Sequence, residues 1–252
     1  MKNRETWKPS KYVYRKGKLR ASGDLAEVHA GSRLAADLIA SLYGANLPKY
    51  ARGRLLDLGC GKAPLFEAYR DYVSDNVCVD WTETRHGNEY LDYECDLTKR
   101  LPFGDGEFDT LILSDVLEHI PEPEILWREM HRVLAPGGRV LLNVPFCYPL
   151  HEEPHDYYRY TEYSLRRFAG RASFEVLLLR PVGGTPEIVA DILAKHLQFL
   201  PLIGRGLAVM IQRLASAFVG TAPGRRLSEK TGRKYPLGYF LVAEKTGPPV
   251  GG

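Results

Sequence analysis

Short apolar segments alternate with amphipathic ones through the middle of the chain, and this alternation restricts the fold more than any other feature. The amphipathic segments carry apolar residues three or four positions apart, as helices do, whereas the short segments are typical of buried strands. The predicted strands cover residues 54–58, 77–80, 108–114, 139–146, 174–179 and 239–243. Strands that alternate with helices form a largely parallel sheet with helices on both faces. We therefore predict a doubly wound α/β fold.

Two regions lie outside this alternation. Before the first strand, a helix is predicted over 25–47, and Gly44 and Pro48 are expected to end it. Before the last strand, residues 186–235 contain two amphipathic stretches, about 189–200 and 207–219, and then a polar, basic stretch at 221–234 that predicts a loop. We interpret 186–235 as a helical insertion.

One side of the second amphipathic stretch is apolar, a pattern typical of a buried helix face. The apolar stripe consists of Leu207, Met210, Ile211, Leu214 and Phe218, with Gln212, Arg213 and Ser216 opposite. Such an insertion can cap a ligand pocket or form the face of a homodimer. A helix that lies on a membrane surface, within residues 186–220, is a further alternative.

The positive charge of the chain is concentrated at its beginning. Lys and Arg total 34 against 31 Asp and Glu, yet the first twenty residues contain eight basic residues and one acidic residue. We predict a solvated, partly disordered basic arm over residues 1–21. Aromatic residues within it, Trp7, Tyr12 and Tyr14, leave contact with RNA or DNA as the alternative. The remaining boundaries are a core at 22–185, the insertion at 186–235 and the last strand at 236–246.

The cysteine and hydropathy patterns exclude several classes of protein. The four cysteines are far apart and form no CxxC pair, which argues against a disulfide scaffold or a structural zinc knot. No apolar run approaches 18 residues and no signal-peptide pattern precedes the first apolar cluster. We expect a cytoplasmic protein without a membrane span.

A glycine turn follows the first strand, where a doubly wound sheet binds its ligands. Gly59 and Gly61 allow the backbone to approach a ligand closely, and Asp57 before them suits a cationic ammonium group. Asp80 ends the next strand and can accept hydrogen bonds from both hydroxyls of a ribose. Pro64 stands where the dinucleotide fingerprint has Gly or Ala, which disfavours a nicotinamide dehydrogenase.

Several motifs, taken in order, resemble the class I S-adenosylmethionine-dependent methyltransferases, and among them the bacterial type-11 group. They are RLLDLGCGKAP at 54–64, Val79-Asp80, Cys95-Asp96-Leu97, the run 113–120 and LAPGG at 134–138. The resemblance covers about 50–182 and the last strand, and Ala63 replaces the third glycine of the family. It implies a Rossmann-like, seven-stranded, mostly parallel sheet whose last strand is antiparallel. The implied cofactor is S-adenosylmethionine, with S-adenosylhomocysteine as the product.

The resemblance also implies roles for individual residues. Asp57, Gly59 and Gly61, with Cys60 between the glycines, would hold the methionine part of the cofactor. Asp80 would bind the ribose, and the adenine would lie against Trp81, Asp96 and the backbone amide of Leu97. Ser114 would line the pocket near the sulfonium. Each residue also has a structural alternative: a tight turn at the glycines, a helix cap at Asp80 and an Asx turn at Asp96.

The densest polar stretch follows the fifth strand, at 151–161, and is the predicted acceptor side. His155 is the candidate base with Asp156 as its partner, and His119 is a second candidate base or a packing residue. Arg159 could clamp an anionic acceptor, or it could simply pair with Asp156 and fix the loop. Further substrate-binding candidates are Tyr148, His151 and Tyr157, of which the two tyrosines could face the sulfonium.

The same stretch matches the HExxH pattern of zinc proteases between His151 and His155. That pattern requires a helix, and Pro154 disfavours one. No third ligand stands at a familiar spacing, so the sequence predicts no metal.

The predicted activity is methyl transfer to an oxygen or nitrogen of a small or medium-sized acceptor, such as a saccharide, a lipid-linked intermediate or a secondary metabolite. Residues 114–117 lack the Asn-Pro-Pro-Tyr element that amino-methylases of bases and glutamines carry, so nucleic acid is a less favoured substrate. An RNA methyltransferase that uses the basic arm and a non-catalytic protein that binds the cofactor remain the alternatives.

Overall fold

The computed structural model describes residues 1–81, 87 and 89–247. Its strands are β1 (Tyr12–Arg15), β2 (Lys18–Ala21), β3 (Arg54–Leu58), β4 (Asp75–Asp80), β5 (Tyr93–Glu94), β6 (Phe108–Ser114), β7 (Leu134–Pro145), β8 (Phe174–Val182) and β9 (Gly238–Lys245). Its α-helices are α1 (Arg33–Tyr50), α2 (Phe66–Tyr69), α3 (Pro123–Val133), α4 (Glu162–Arg171), α5 (Thr185–Leu197), α6 (Gly204–Gly220) and α7 (Ala222–Gly232).

The central sheet has the predicted Rossmann-like architecture. Within the described residues it contains seven strands in the order β5-β4-β3-β6-β7-β9-β8. Strands β3 to β7 pair in parallel, and β9 lies antiparallel between β7 and β8. The carboxyl ends of β3, β4, β6 and β7 therefore meet at one edge of the sheet, which confirms the predicted fold class.

Helices cover both faces of this sheet because the strands carry apolar side chains on both faces. Leu56 and Leu58 pack with Trp127 of α3 on one face. Leu55 packs with Tyr43 of α1 on the other. All five side chains are fully or almost fully buried, so the sheet is held between two apolar layers.

The first helix was predicted incorrectly at both ends. Helix α1 begins at Arg33, after a short 3-10 helix at Ala30–Ser32, and it continues through Gly44 and Pro48 to Tyr50. Pro48 lies in the last turn, where it interrupts a single hydrogen bond near the end of the helix. Burial of Tyr43 and Leu47 in the core outweighs these local helix breakers.

The basic arm is folded, which contradicts the prediction of a solvated tail. Strands β1 and β2 form an antiparallel hairpin whose two turn residues, Lys16 and Gly17, have φ of 51° and 71°. Positive φ at both central residues matches the twist of such hairpins. Tyr12 and Leu19 are buried against the core, so the apolar face of the hairpin, rather than its charge, decides its structure.

The insertion contains three helices and not two followed by a loop. Helix α7 occupies the predicted loop because Thr221 caps it, accepting a hydrogen bond from the Gly224 amide, and a proline lies in its first turn.

Helix α6 also turns a different face inward from the predicted one. Gln212 is buried, donates to the Gly31 carbonyl at 3.0 Å and accepts from the Leu34 amide at the start of α1. Free amides at a helix start require acceptors, and Gln212 supplies one. Met210, Leu214 and Phe218 of the predicted buried stripe are instead 49%, 63% and 44% exposed.

Candidate active site

A cavity of about 650 Å³ opens at the carboxyl edge of the sheet, where the strand order predicts a ligand site. All nine predicted cofactor residues line it: Asp57, Gly59, Cys60, Gly61, Asp80, Trp81, Asp96, Leu97 and Ser114. Five of the predicted acceptor-side residues line it as well: His119, Tyr148, His151, His155 and Tyr157. Asp156 and Arg159 do not belong to its lining. One cavity thus joins the two predicted halves of the site.

The turn after β3 requires glycine for steric reasons. Gly59 has φ of +70°, and a Cβ placed there would lie 2.5 Å from Cγ2 of Val116. The amides of Gly59 and Cys60 both donate to the Val79 carbonyl, at 2.8 and 3.1 Å. The turn is therefore tied to the neighbouring strand β4, and its backbone forms one wall of the cavity.

Asp57 is a buried carboxylate at the floor of the cavity. Burial raises its pKa to about 7, although the Tyr69 hydroxyl, which donates to it at 3.2 Å, acts in the opposite direction. A bound cation would stabilise the charged form of this carboxyl group.

Asp80 is oriented by its own surroundings. One carboxylate oxygen accepts from the Gly61 amide at 2.8 Å, and the other accepts from the Trp81 amide at 2.8 Å. The first bond connects the end of β4 to the glycine turn. Asp96 forms the Asx turn that was its structural alternative, accepting from the Thr98 amide and hydroxyl, and the hydroxyl holds the pKa of Asp96 below its usual value.

In the acceptor-side segment, one predicted side-chain pair, His155 with Asp156, is wrong. Asp156 does not pair with His155: it accepts two hydrogen bonds from the Arg159 guanidinium, at 2.6 and 2.7 Å, and one from the His151 amide at 2.9 Å. The Arg159 bonds hold the pKa of Asp156 well below its usual range. The structural alternative for Arg159 is thus the observed arrangement, and the segment 151–155 contains no helix, as Pro154 predicts.

His155 has aromatic neighbours instead. Its Nδ1 lies 3.2 Å from the Tyr157 hydroxyl, and its ring meets Trp81 edge-on with 5.2 Å between centroids. This contact places the polar segment 151–161 next to the carboxyl end of β4.

A cluster of Glu118, His119 and His151 was not predicted. Glu118 is fully buried, and neither of its carboxylate oxygens has a hydrogen-bond partner within the described part of the chain. Nε2 of His119 and Nε2 of His151 each lie 3.8 Å from the same Glu118 oxygen. Burial raises the pKa of Glu118. In the sequence, Glu118 lies among apolar residues and next to a histidine. This placement was the signal from which a buried, functional carboxylate could have been predicted.

The folded arm adds a second unpredicted group to the cavity. Ser10 and Lys11 line it, and Lys11 Nζ lies 2.8 Å from the Asp115 carboxylate. Asn143 of β7 donates to the other oxygen of Asp115 at 2.6 Å. The residues that precede the hairpin therefore close one side of the cavity.

Comparison with known proteins agrees with this geometry. Residues 56–142 match the family model described as "Methyltransferase domain". The chain therefore contains a methyltransferase domain of the class I, S-adenosylmethionine-dependent type. Proteins with a domain of this type are enzymes whose cofactor is S-adenosylmethionine.

Two curated methyltransferases are similar over part of their length. The 27-O-demethylrifamycin SV methyltransferase of Amycolatopsis mediterranei is 30% identical over 110 residues, which are 38% of this chain and 40% of that protein. A ubiquinone biosynthesis O-methyltransferase of Pseudomonas aeruginosa is 28% identical over 103 residues, 36% of this chain and 43% of that protein. The chain thus spans less than half the length of these relatives.

Solved structures show the same fold over a greater length. An S-adenosylmethionine-dependent methyltransferase from Mesorhizobium loti aligns with a TM-score of 0.54 at 18% identity, covering 84% of this methyltransferase and 100% of that chain. At this identity the likeness concerns the fold alone.

Proposed function

We propose that this methyltransferase transfers the methyl group of S-adenosylmethionine to an oxygen of a small, partly apolar acceptor. The observation that carries the proposal is the single cavity that the predicted cofactor residues share with the acceptor-side histidines His119, His151 and His155. Its volume of about 650 Å³ falls within the usual range of ligand sites, about 300–1,000 Å³. The names of two relatives, which refer to O-methylation, favour oxygen over nitrogen as the attacked atom.

In the proposed complex, Asp57 accepts the ammonium of the cofactor and Asp80 binds its ribose. The sulfonium is already a good leaving group, so the main task of the protein is alignment of the acceptor, which can lower a barrier by roughly 7–11 kcal/mol. The acceptor oxygen attacks the methyl carbon in line, and the carbon–sulfur bond breaks with its electrons going to sulfur. His155, beside Tyr157, is the proposed acceptor of the hydroxyl proton.

The folded arm gives less support to an RNA substrate. Trp7 packs edge-on against Phe66 with 5.1 Å between ring centroids, and Tyr12 is buried. These two rings are occupied within the protein and Tyr14 alone of the three is exposed, whereas a stacking platform for successive bases needs several exposed rings.

Turnover tests the proposal. The enzyme should form S-adenosylhomocysteine from S-adenosylmethionine with at least one member of a panel of phenols, quinol precursors and hydroxylated macrolactams. His155→Ala should lower kcat by about 100-fold or more, as loss of a general base does, while cofactor affinity is retained. Cofactor binding without turnover on any acceptor would favour the non-catalytic alternative instead.

We further propose that the insertion brings the enzyme to a lipid surface that carries its acceptor. Apolar side chains between α5 and α6 and along α6 are strongly exposed: Phe199, Leu202, Ile203, Met210, Leu214 and Phe218. Exposed Arg205 and Arg213 accompany them, a combination suited to an anionic membrane. Within the described residues, no helix is long and apolar enough to span a bilayer.

Liposome flotation tests this surface. The enzyme should float with anionic vesicles, and the double variant Leu202→Asp/Ile203→Asp should not. Leu150→Asp, also at an exposed apolar residue but outside the insertion, is the matched control and should float like the unchanged enzyme. If the double variant floats equally well, the lipid proposal is wrong; if it instead converts a dimer into a monomer, this surface is a homodimer face.

A further inference from the structure

We propose that Glu118, His119 and His151 form a binding site for a divalent transition-metal ion, which holds and activates the acceptor hydroxyl. The identity of the acceptor rests on the function proposed above, whereas the metal site itself does not. The proposal departs from the sequence prediction of no metal, because the residues that converge are separated by about thirty positions in the chain.

The first argument is the arrangement of the three donor atoms. One carboxylate oxygen and two imidazole nitrogens all lie within 4.8 Å of one another, and both histidine nitrogens are 3.8 Å from the Glu118 oxygen. Around a tetrahedral zinc ion, donor atoms are about 3.3 Å apart. To surround one ion, the two Glu118–histidine distances would shorten by about half an ångström each, and the two histidine nitrogens, which lie within 4.8 Å of each other, would also move closer together.

The second argument is the buried carboxylate. Both oxygens of Glu118 are buried without a hydrogen-bond partner within the described part of the chain. A buried polar group without a partner is costly, and buried charges are normally paired or bound to a metal. Because the side chain is aimed between two imidazole nitrogens, a cation at this point would neutralise it.

The third argument concerns the Nδ1 atoms of the two imidazoles, which are the ring nitrogens that do not face Glu118. Nδ1 of His119 lies 2.8 Å from the His155 carbonyl, and since a carbonyl only accepts, this nitrogen carries the proton and Nε2 keeps its lone pair. Nδ1 of His151 lies at ion-pair distance, 3.2 Å, from an Asp156 oxygen without hydrogen-bond geometry, and the same carboxylate accepts a hydrogen bond from the His151 amide and is held by Arg159. Carbonyls and carboxylates behind ligating histidines are the usual second layer of metal sites.

The donor set indicates the class of ion. Two imidazole nitrogens and one carboxylate favour Zn²⁺, Fe²⁺, Co²⁺ or Mn²⁺ over Mg²⁺ or Ca²⁺, which prefer oxygen ligands. Three protein ligands leave an open position, as in catalytic sites.

The three residues line the same cavity as the predicted cofactor groups, so the open position faces the acceptor. A hydroxyl coordinated there loses its proton more readily than a free one. The proton passes to His155 or to solvent, the oxygen forms its bond to the methyl carbon, and the carbon–sulfur bond breaks to give S-adenosylhomocysteine.

Cobalt titration tests the site. The full-length protein, stripped with EDTA and dialysed, should bind one Co²⁺ per chain with visible absorption typical of mixed nitrogen and oxygen ligands, whereas Mg²⁺ should not compete. Glu118→Gln and His151→Ala should each weaken Co²⁺ binding by at least about tenfold. His196→Ala, an exposed histidine on α5, controls for adventitious binding and should change nothing.

Cofactor binding, measured calorimetrically on the same metal-free samples, separates the two proposals and verifies folding. Variants that bind S-adenosylhomocysteine but not Co²⁺ support the site. A protein that binds no stoichiometric Co²⁺, or binds it equally well after Glu118→Gln and His151→Ala, overturns it and leaves His155 as the base, without help from a metal. Failure to bind the cofactor would contradict the proposed function alone.

Discussion

Asp57 links the pH of the solution to cofactor binding. Its pKa of about 7 in the free protein means that the carboxyl group is largely protonated at pH 6. The ammonium of the cofactor should lower this pKa, so binding below pH 7 requires loss of a proton and is weaker. We predict that affinity for S-adenosylhomocysteine rises about eightfold from pH 6 to pH 7.5 and then levels off.

Isothermal titration calorimetry across this range measures the effect. Asp57→Asn, which cannot ionise, should bind more weakly and without this pH dependence. An equally steep profile in Asp57→Asn would show that another group is responsible.

Gly59 allows a second prediction at the level of a single residue. Gly17 has nearly the same positive φ, +71° against +70°, but only at Gly59 would a Cβ meet a neighbour, Val116. The comparison of Gly59→Ala with Gly17→Ala therefore separates steric overlap from backbone strain. Gly17→Ala should lower the free energy of unfolding by about 1 kcal/mol, and Gly59→Ala by about 1–3 kcal/mol more.

Urea denaturation gives both values. Equal losses would mean that the turn shifts away from Val116 without cost, and the close approach of the glycine turn to the segment after β6 would then have no energetic importance.

Among the secondary-structure elements, the hairpin of the arm makes the clearest prediction. Tyr12 and Tyr14 lie two positions apart on β1, but Tyr12 is buried against the core, whereas Tyr14, nearer the turn, is 41% exposed. If the arm is part of the core, Tyr12→Ala should lower the free energy of unfolding by about 3 kcal/mol or more, whereas Tyr14→Ala should change it by less than about 1 kcal/mol. Denaturant unfolding of both variants decides. Similar small losses would restore the solvated tail that the charge pattern predicted.

The elements also show which structural features can be predicted from the chain. Strands such as Arg54–Leu58 and Phe108–Ser114 were predicted with their observed bounds, because their apolar runs are local and end in turn residues. Helix α7 and the hairpin were missed because charged residues masked a capping threonine and a buried apolar face. The inward face of α6 depends on free amides of α1, far away in the chain, and no local pattern contains that information.

At the scale of the whole molecule, the cofactor half of the cavity was predictable and the acceptor half was only partly so. Asp57, Gly59 and Asp80 lie at or next to the carboxyl ends of β3 and β4, and the strand order brings these ends together. The acceptor half is built from the irregular segments around Glu118 and His151, whose meeting depends on backbone contacts such as those of the Tyr157 and Tyr158 amides with the Glu118 carbonyl. Spacing along the chain does not reveal such contacts.

The identity of the family and the geometry of the site converge on one ligand, and its binding is the most direct test. Calorimetric titration of S-adenosylhomocysteine should show one site per chain, and Asp80→Ala should weaken binding by at least about tenfold through loss of its hydrogen bonds to the ribose. Asp75→Ala, at the exposed opposite end of the same strand, should bind like the unchanged enzyme. If Asp80→Ala binds as tightly as Asp75→Ala, the cofactor does not lie in this cavity as described.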